Sequence, residues 1–335
     1  MKPFAQLTER GQARRLRVLA QNALQAYDLD VARLSLVTNS MNGIFRVDTR
    51  SGQRFILRVS VPEGGHTLDH VAAEMDWLAA LARDTALSVP RPVPARDGAR
   101  VVAAEAPGVP EARLCAVFSW VPGTDLAKHI TPANLSRLGE LMAGLHEHAR
   151  GYQPPAGLAL LRFDRVFPFP EPVILFEPRF ADLFPPERLA LYRRAEAWAQ
   201  AALHQLQASG EPMRLLHGDL HQWNVRCARG GLSPIDFEDL MWGWPVQDIA
   251  TSLYYFLEPE ADYPQLRAAF EQGYRRRAPW PERHPGEIDA FIAARGLGLV
   301  NFILTHPNPA WKARASEFVE RIEQRLRRLL AQTGG

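Results

Sequence analysis

The sequence predicts an α+β fold in two parts: a small N-terminal lobe built on an antiparallel sheet, and a larger, mostly helical C-terminal lobe. Short apolar runs bounded by turn residues predict strands in the first part, and helical periodicity dominates after residue 186. The dipeptide Pro122-Gly123 follows the last strand of the first part. We therefore predict two domains, at residues 1–121 and 122–335.

Composition sets limits on the function. Apolar residues make up 47% of the 335 residues and charged residues 23%, which is typical of a globular protein with a sizeable core. The formal net charge of +2 argues against a nucleic-acid partner. Cys115 and Cys227 are too few for a disulfide framework, and both lie in apolar runs that favour core positions.

With no visible signal peptide and no apolar run of about 18 residues, we expect a cytoplasmic protein without a membrane partner. The oligomeric state is not readable from the sequence.

The N-terminal part opens with a helix and continues with strands. Helical spacing predicts a helix over residues 8–27. Strands are predicted at 34–37, 44–49, 54–60 and 114–121, and the residues Arg50-Ser51-Gly52-Gln53 favour a hairpin turn between the second and third. Residues 38–43 are rich in turn formers, and alone they predict an ordinary hairpin connection.

A buried charge is predicted in the next helix. Residues 67–83 have a helical apolar stripe with Thr67 as N-cap, and Glu74 lies inside that stripe. A carboxylate on a packed face needs a partner. Arg58 lies on the strand face opposite Leu57 and Val59, so we predict that it pairs with Glu74. In the alternative, Arg58 faces solvent and Glu74 lies at the edge of the stripe.

The C-terminal part is mainly helical. Thr131-Pro132 supplies an N-cap and a first helical residue. Residues 152–186 contain eight prolines and six phenylalanines, which predicts an irregular segment that covers the core or lines a cleft. The remaining helices are predicted at 187–207, 246–257, 264–276, 286–304 and 313–331.

The chemistry is concentrated in residues 216–239. Asn224 lies five residues after Asp219, and Asp236 lies seventeen residues after it, at the end of a short apolar strand. One carboxylate beside a hydroxyl nucleophile and two oxygen ligands for magnesium suit phosphoryl transfer, which needs mainly positioning and charge neutralisation. Singly, each of these residues is more often a cap or turn residue. Their combination predicts that the three oxygen donors converge in a cleft dividing the two lobes.

The stretch from His217 to Asn224 and the stretch from Ile235 to Glu238 resemble the signature of the aminoglycoside phosphotransferase family. The resemblance extends over about residues 33–260 and implies a bilobal protein-kinase-like fold. It also implies ATP and magnesium as cofactors, with a small hydroxyl compound as the second substrate. By this resemblance Asp219 is the catalytic residue, Asn224 and Asp236 are the metal ligands, and His217 and Asp248 support the catalytic loop.

The resemblance extends to the N-terminal part, where it implies the nucleotide-binding residues. The loop over the phosphates has no G-x-G-x-x-G, and Arg58 stands where the family usually has lysine, with Glu74 as its partner. Arginine still binds phosphate oxygens, so we expect an active enzyme. The implied nucleotide-binding residues are Asn39, Ser40, Asn42, Gly43, Arg58, Glu74, Phe118, Ser119, Trp120 and Val121.

Other functions remain open from the sequence. A Ser/Thr protein kinase would share this fold. A metal-dependent hydrolase would use His217, Asp219, His221 and Asp236, although no H-E-x-x-H motif is present. A nucleotide-binding scaffold is suggested by Arg58. A Walker-type NTPase is excluded because no G-x-x-x-x-G-K-[ST] occurs.

Overall fold

A computed structural model describes residues 2–39, 41–61, 67–258, 261–306 and 309–332. The chain divides into two compact units. The first comprises Met1–Gly123, Pro154–Ala159 and Ser233–Glu238, and the second comprises Thr124–Gln153, Leu160–Leu232 and Asp239–Gly335. Two short later segments thus belong to the first unit, in addition to the N-terminal residues that the sequence assigns to it.

The first unit is built on an antiparallel sheet. Its strands follow the spatial order β1-β2-β3-β6-β4, and β5 pairs with β6. The tight turn predicted at residues 50–53 joins β2 to β3, in which Ile44 pairs with Arg58. The elements are α1 (Glu9–Leu24), β1 (Val31–Thr38), β2 (Gly43–Thr49), β3 (Arg54–Val59), α2 (Leu68–Asp84), β4 (Pro92–Val93), β5 (Val102–Ala104) and β6 (Arg113–Ser119).

The two faces of this sheet have different roles. Alternate residues of β2, β3 and β6, among them Phe45, Leu57 and Val117, are fully buried in one apolar cluster with Leu19 of α1. Because successive side chains of a strand point to opposite faces, Arg58 lies on the other face. There it meets α2, whose N-cap Thr67 accepts a hydrogen bond from the His70 amide, as the sequence predicts.

The second unit is mainly helical. Its elements are β7 (Thr124–Asp125), α3 (Pro132–Gly151), α4 (Pro186–Ala208), β8 (Arg214–Leu216), β9 (Val225–Ala228), the start of β10 (Gly231–Pro234), β11 (Met241–Gly243), α5 (Pro245–Tyr254), α6 (Tyr263–Arg275), α7 (Glu287–Thr305), α8 (Pro309–Lys312) and α9 (Ala315–Gln332). The strands β8 and β11 pair antiparallel, as do β7 and β9. These two small ladders flank the segment that carries the predicted catalytic residues.

Two glycines let helices α3 and α6 cross closely. A Cβ on Gly273 would lie 1.7 Å from the main-chain oxygen of Ser136, and one on Gly139 would lie 2.0 Å from that of Phe270. Neither position leaves room for a side chain, so the two backbones touch directly. The α3–α6 crossing therefore depends on glycine at both positions.

Some sequence predictions need adjustment. Helix α5 ends at Tyr254, three residues before the predicted end, because Phe256 and Leu257 bond to carbonyls three residues back and tighten the turn. Cys115 is fully buried, but Cys227, in the four-residue strand β9, is only half-buried. Residues 160–185 have no α-helix, in agreement with their prolines, and contain a short 3-10 turn at Pro178–Phe180.

Helix α7 is the most apolar element of the second unit. Within the described residues it is the one helix whose length and composition would allow it to cross a membrane, and 67% of its apolar window is buried inside the fold. The core helix of a folded domain passes the same test. Arg295 is the single charged residue between Asp289 and Lys312.

Candidate active site

The predicted catalytic segment, His217 to Asn224, connects β8 to β9 in the second unit. Gly218 has a positive φ of 81°, and a Cβ there would lie 2.1 Å from the main-chain oxygen of Asp239. Both the backbone conformation and the close approach require glycine. The segment is therefore held in a conformation that brings the following residue, Asp219, into a fixed position.

Asp248 ties down the start of this segment. Its carboxylate accepts hydrogen bonds from the main-chain amides of His217, at 3.2 Å, and Gly218, at 3.0 Å. Nε2 of the buried His146 lies 3.1 Å from the same carboxylate, and Nδ1 of His146 contacts the Tyr274 hydroxyl at 2.9 Å. A main-chain turn bound by a buried carboxylate in this way has little freedom to move.

The carboxylate of Asp219 has three polar neighbours. Arg295 of α7 donates to Oδ1, and Nε2 of His221 lies 3.3 Å from Oδ2. The side-chain amide of Asn224 donates to the main-chain oxygen of Asp219 at 3.0 Å and to Oδ2 at 3.1 Å. Two of the three predicted oxygen donors, Asp219 and Asn224, are therefore in direct contact.

These neighbours keep Asp219 ionised. Burial alone would raise the pKa of Asp219, but the positive charge of Arg295 and the interaction with His221 outweigh it and lower the pKa to about 2. Burial would also lower the pKa of Arg295, but Tyr255 and Asp219 raise it above its ordinary value. A carboxyl group with so low a pKa orients a hydroxyl group better than it removes its proton.

Asp236 belongs to the first unit, in the segment that follows β10. It is exposed, and with φ of 65° it is the one non-glycine residue in the left-handed region among those the structure describes. Aspartate tolerates this conformation at a modest cost, and such strain is concentrated at functional sites. The expected convergence of Asp236 with Asp219 and Asn224 stays a prediction.

The predicted pair of Arg58 and Glu74 is confirmed. The guanidinium donates from both terminal nitrogens to the two carboxylate oxygens of Glu74, one at 2.9 Å, and both side chains are buried. Glu238 lies 3.6 Å from Nη1 of Arg58, and the Phe118 ring is 5.3 Å from its guanidinium carbon. Burial would lower the pKa of Arg58, but Glu74 and Glu238 raise it.

The loop before β2 is less available for ligands than expected. The side chain of Asn42 is buried, donates to Glu238 and accepts from the main-chain amide of Val61 at 3.1 Å. Asn39 is half-buried, and Gly43 begins β2. Ser40 lies outside the described residues.

The end of β6 and the residues after it offer few main-chain amides that could bind a ligand. The Ser119 amide donates to Arg91 at 2.8 Å, and the Trp120 amide donates to Arg54 at 3.2 Å. The amide of Val121 donates to no residue in the described part of the chain. Phe118 is paired within the sheet, opposite Ile56.

Sequence reasoning missed three residues of this site. Arg295 contacts Asp219, His146 contacts Asp248, and Glu238 contacts both Arg58 and Asn42. Arg295 carried a signal, because it is the single charge in the apolar part of α7 after Asp289, and a charge on a packed face is the argument that identified Glu74. His146 carried none, since a histidine in a helix has no pattern that names its partner.

The described residues contain no cluster of three or more His, Cys, Asp or Glu side chains arranged to hold a metal ion. An open cavity of about 580 Å³ lies elsewhere in the second unit, lined by Trp242, Trp244, Arg162, Asp164 and neighbouring residues. Asp219 and Asn224 are not among its lining residues.

A strand-rich unit followed by a helical unit with an H-x-D-x-x-x-x-N loop defines a protein-kinase-like phosphotransferase. The chain matches the phosphotransferase enzyme family, APH, over residues 40–283, and it belongs to that family. It is accordingly a small-molecule kinase, an enzyme that transfers phosphate to an alcohol group.

Individual relatives support this membership. An uncharacterized protein of Deinococcus radiodurans is 31% identical over 292 residues, which cover 84% of this chain and 81% of that protein. The amicoumacin kinase of Bacillus subtilis is 25% identical, with 77% and 73% covered. The structure of a microcompartment-associated aminopropanol kinase superposes with a TM-score of 0.78 at 26% identity, covering 95% of this chain and 98% of that one.

Proposed function

We propose that the protein transfers the γ-phosphoryl group of ATP to a hydroxyl of a small molecule, with Asp219 as the catalytic residue. The observation that carries the proposal is the state of Asp219. It is a largely buried carboxylate held by Arg295, His221 and Asn224, on a loop tied to Asp248. A hydroxyl bound to such a carboxylate is fixed for in-line attack.

In the proposed reaction the acceptor oxygen forms a bond to the γ-phosphorus while the bond between that phosphorus and the oxygen of ADP breaks. The hydroxyl proton leaves late, through the Asp219 carboxylate to solvent. Arg295 keeps this carboxylate ionised and oriented throughout.

Asn224 and Asp236 fit a divalent metal ion, and we assign magnesium to them. Both offer hard oxygen donors. The Asn224 amide nitrogen is committed to Asp219, which leaves its Oδ1 for the metal. Asp236 is exposed and has a left-handed backbone conformation, a kind of strain that is concentrated at functional sites. The bound metal would neutralise phosphate charge.

For the nucleotide, we assign the free Val121 amide to the adenine and Arg58 to the phosphates. Arg58 retains the charge of the usual lysine and its glutamate partner, which favours an active enzyme over a nucleotide-binding scaffold. Asn42 contributes by ordering Glu238 and Val61 through its side-chain amide, rather than by binding the nucleotide with that amide. Because ATP is the donor, we place the protein in the cytoplasm, in keeping with two free cysteines.

An acceptor screen tests the proposal. ADP release from ATP and magnesium would be measured with a panel of hydroxyl compounds, using Asp219→Asn as the control. We expect stimulation by at least one compound, reduced about 100-fold or more in the variant. Nucleotide binding should remain nearly intact in the variant. Binding of nucleotide without stimulation by any acceptor would favour the scaffold instead.

A further inference from the structure

Three aromatic rings lie beside Asp219. His221, Trp223 and Tyr255 pack edge to face, with ring centroids 4.8 to 5.6 Å apart. Trp223 keeps 49% of its surface exposed, although large apolar rings are usually covered. A half-exposed ring next to the catalytic carboxylate offers a flat surface for the carbon skeleton of an acceptor.

The guanidinium of Arg295 uses only part of its hydrogen-bonding capacity. Nη2 bonds to Asp219 and, at 2.8 Å, to the Tyr255 hydroxyl. Nε is buried without a partner, and within the described ranges both hydrogen bonds of Arg295 are made by Nη2. Unpartnered Nε atoms also occur at Arg283 and Arg325, so this atom alone assigns nothing. Arg295 differs from Arg283 and Arg325 because it contacts Asp219, the proposed catalytic carboxylate.

The positive charge of Arg295 disfavours a cationic group on the part of the acceptor that lies beside it. The guanidinium of Arg295 already lies over the Tyr255 ring, 5.6 Å from its centroid, so the protein supplies its own cation to the aromatic cluster. Asp219 is bonded to Nη2 of Arg295, and Nε has no partner among the described residues. An ammonium group placed there would meet a fixed positive charge, whereas an anionic group would find unused donors.

We infer that Arg295 binds a carboxylate of the acceptor, so the substrate is a small hydroxy acid whose hydroxyl contacts Asp219 and whose carbon skeleton lies on Trp223. This inference rests on the proposed function and narrows the acceptor to one charge class. Arg295 then has two roles, holding Asp219 through Nη2 and selecting the acceptor through Nε and Nη1.

Matched acceptors test the charge class in the full-length protein. Glycolate, ethylene glycol and ethanolamine form one set in which the group attached to the hydroxymethyl carbon ends in an anionic, neutral or cationic function, and glycerate, glycerol and 3-amino-1,2-propanediol form another. We expect the carboxylate member of each set to give the highest kcat/KM. In Arg295→Gln the preference for the hydroxy acid over the diol should fall about tenfold or more, with partial recovery in Arg295→Lys. The ratio cancels any general loss from a misplaced Asp219.

A binding measurement completes the test. Calorimetric titration of glycolate or glycerate into the protein loaded with a non-hydrolysable ATP analogue should give a Kd that rises about tenfold or more in Arg295→Gln. The same titration with Arg275→Gln, an exposed charge removed from α6, should match the wild type.

The inference is wrong if the amine or the diol is preferred, if no carboxylate binds or reacts, or if Arg295→Gln leaves the preference unchanged. Retained nucleotide binding and Asp219-dependent ADP release would show that the proposed function survives such a result.

Discussion

At the scale of single residues, buried carboxylates define this site more sharply than any other group. Asp248 accepts three hydrogen bonds inside the fold, two of them from the main chain of the catalytic loop. Burial alone would raise the pKa of Asp248, but the hydrogen bond and charge of His146 and the His217 amide lower it. The charge of Asp248 is therefore part of what holds Asp219 in position.

Replacing Asp248 by asparagine should reveal this contribution. Because the folded pKa is depressed, the stability it supplies is present above the unfolded pKa of about 3.9 and is lost as the pH falls toward the folded value. Asp248→Asn should lower the free energy of unfolding at pH 7 by about 2 kcal/mol. That difference should shrink as the pH falls from about 4 toward the depressed folded pKa, because the unfolded wild type gains its proton first.

Urea unfolding at neutral and acidic pH measures this effect. Asp30→Asn is the matched control, because Asp30 and its partner Arg50 are both more than 70% exposed and such pairs contribute little. A difference for Asp248→Asn that stays constant across the pH range would contradict the role given to its charge.

At the scale of elements, the crossing of α3 and α6 determines where His146 and Tyr274 meet. His146 lies on α3 and Tyr274 on α6, one residue after Gly273, and their side chains are hydrogen-bonded. The close approach of the helices at Gly139 and Gly273 sets this distance. Packing of two helices is thereby linked to the orientation of the histidine that contacts Asp248.

An alanine at Gly273 should separate the two helices. Its Cβ would lie 1.7 Å from a main-chain oxygen, which cannot give way without moving α3. We expect Gly273→Ala to lower the free energy of unfolding by about 3 kcal/mol. Gly298→Ala in α7 is the control, since no atom lies within 4 Å of the new Cβ, and it should be neutral or raise stability by about 0.5 kcal/mol. Similar values for the two variants in chemical denaturation would refute the close-packing account.

At the scale of the whole molecule, the proposed ligands provide a measure of function that does not require the acceptor. A ligand that binds only the folded chain stabilises it by mass action, by about 2.7 kcal/mol at a concentration 100 times its Kd. A metal–nucleotide complex should therefore raise the melting temperature of this protein.

Asp236→Asn should abolish most of that stabilisation. Asparagine tolerates the left-handed conformation at this position, and the shift is measured against the melting temperature of each variant without ligand. Loss of the carboxylate charge should weaken metal–nucleotide binding, whereas Asp219→Asn should retain most of the shift. Thermal denaturation with and without magnesium and ATP provides the comparison, and equal losses in the two variants would argue against separate roles.

Most of this architecture was predictable from the sequence. Helix caps such as Thr67 and Thr131, the alternation that buries Leu57 but turns Arg58 to the other face, and the spacing from Asp219 to Asn224 are local features with a fixed geometric meaning. They predicted the α+β fold, the family and the Arg58–Glu74 pair. For the alternation and the Arg58–Glu74 pair the physical reason is the period of a helix or a strand, which acts over a few residues, whereas the family followed from a resemblance of motifs.

The partners of those residues were decided by tertiary structure. Arg295 is 76 residues from Asp219, and His146 is 102 residues from Asp248. No periodic pattern extends over such separations, because each contact depends on how helices pack rather than on how they form. The sequence by itself identified Asp219 as the candidate catalytic carboxylate. Only the packing of α7 and of the α3–α6 pair decided which charges surround it, and hence its pKa and the acceptor that we infer.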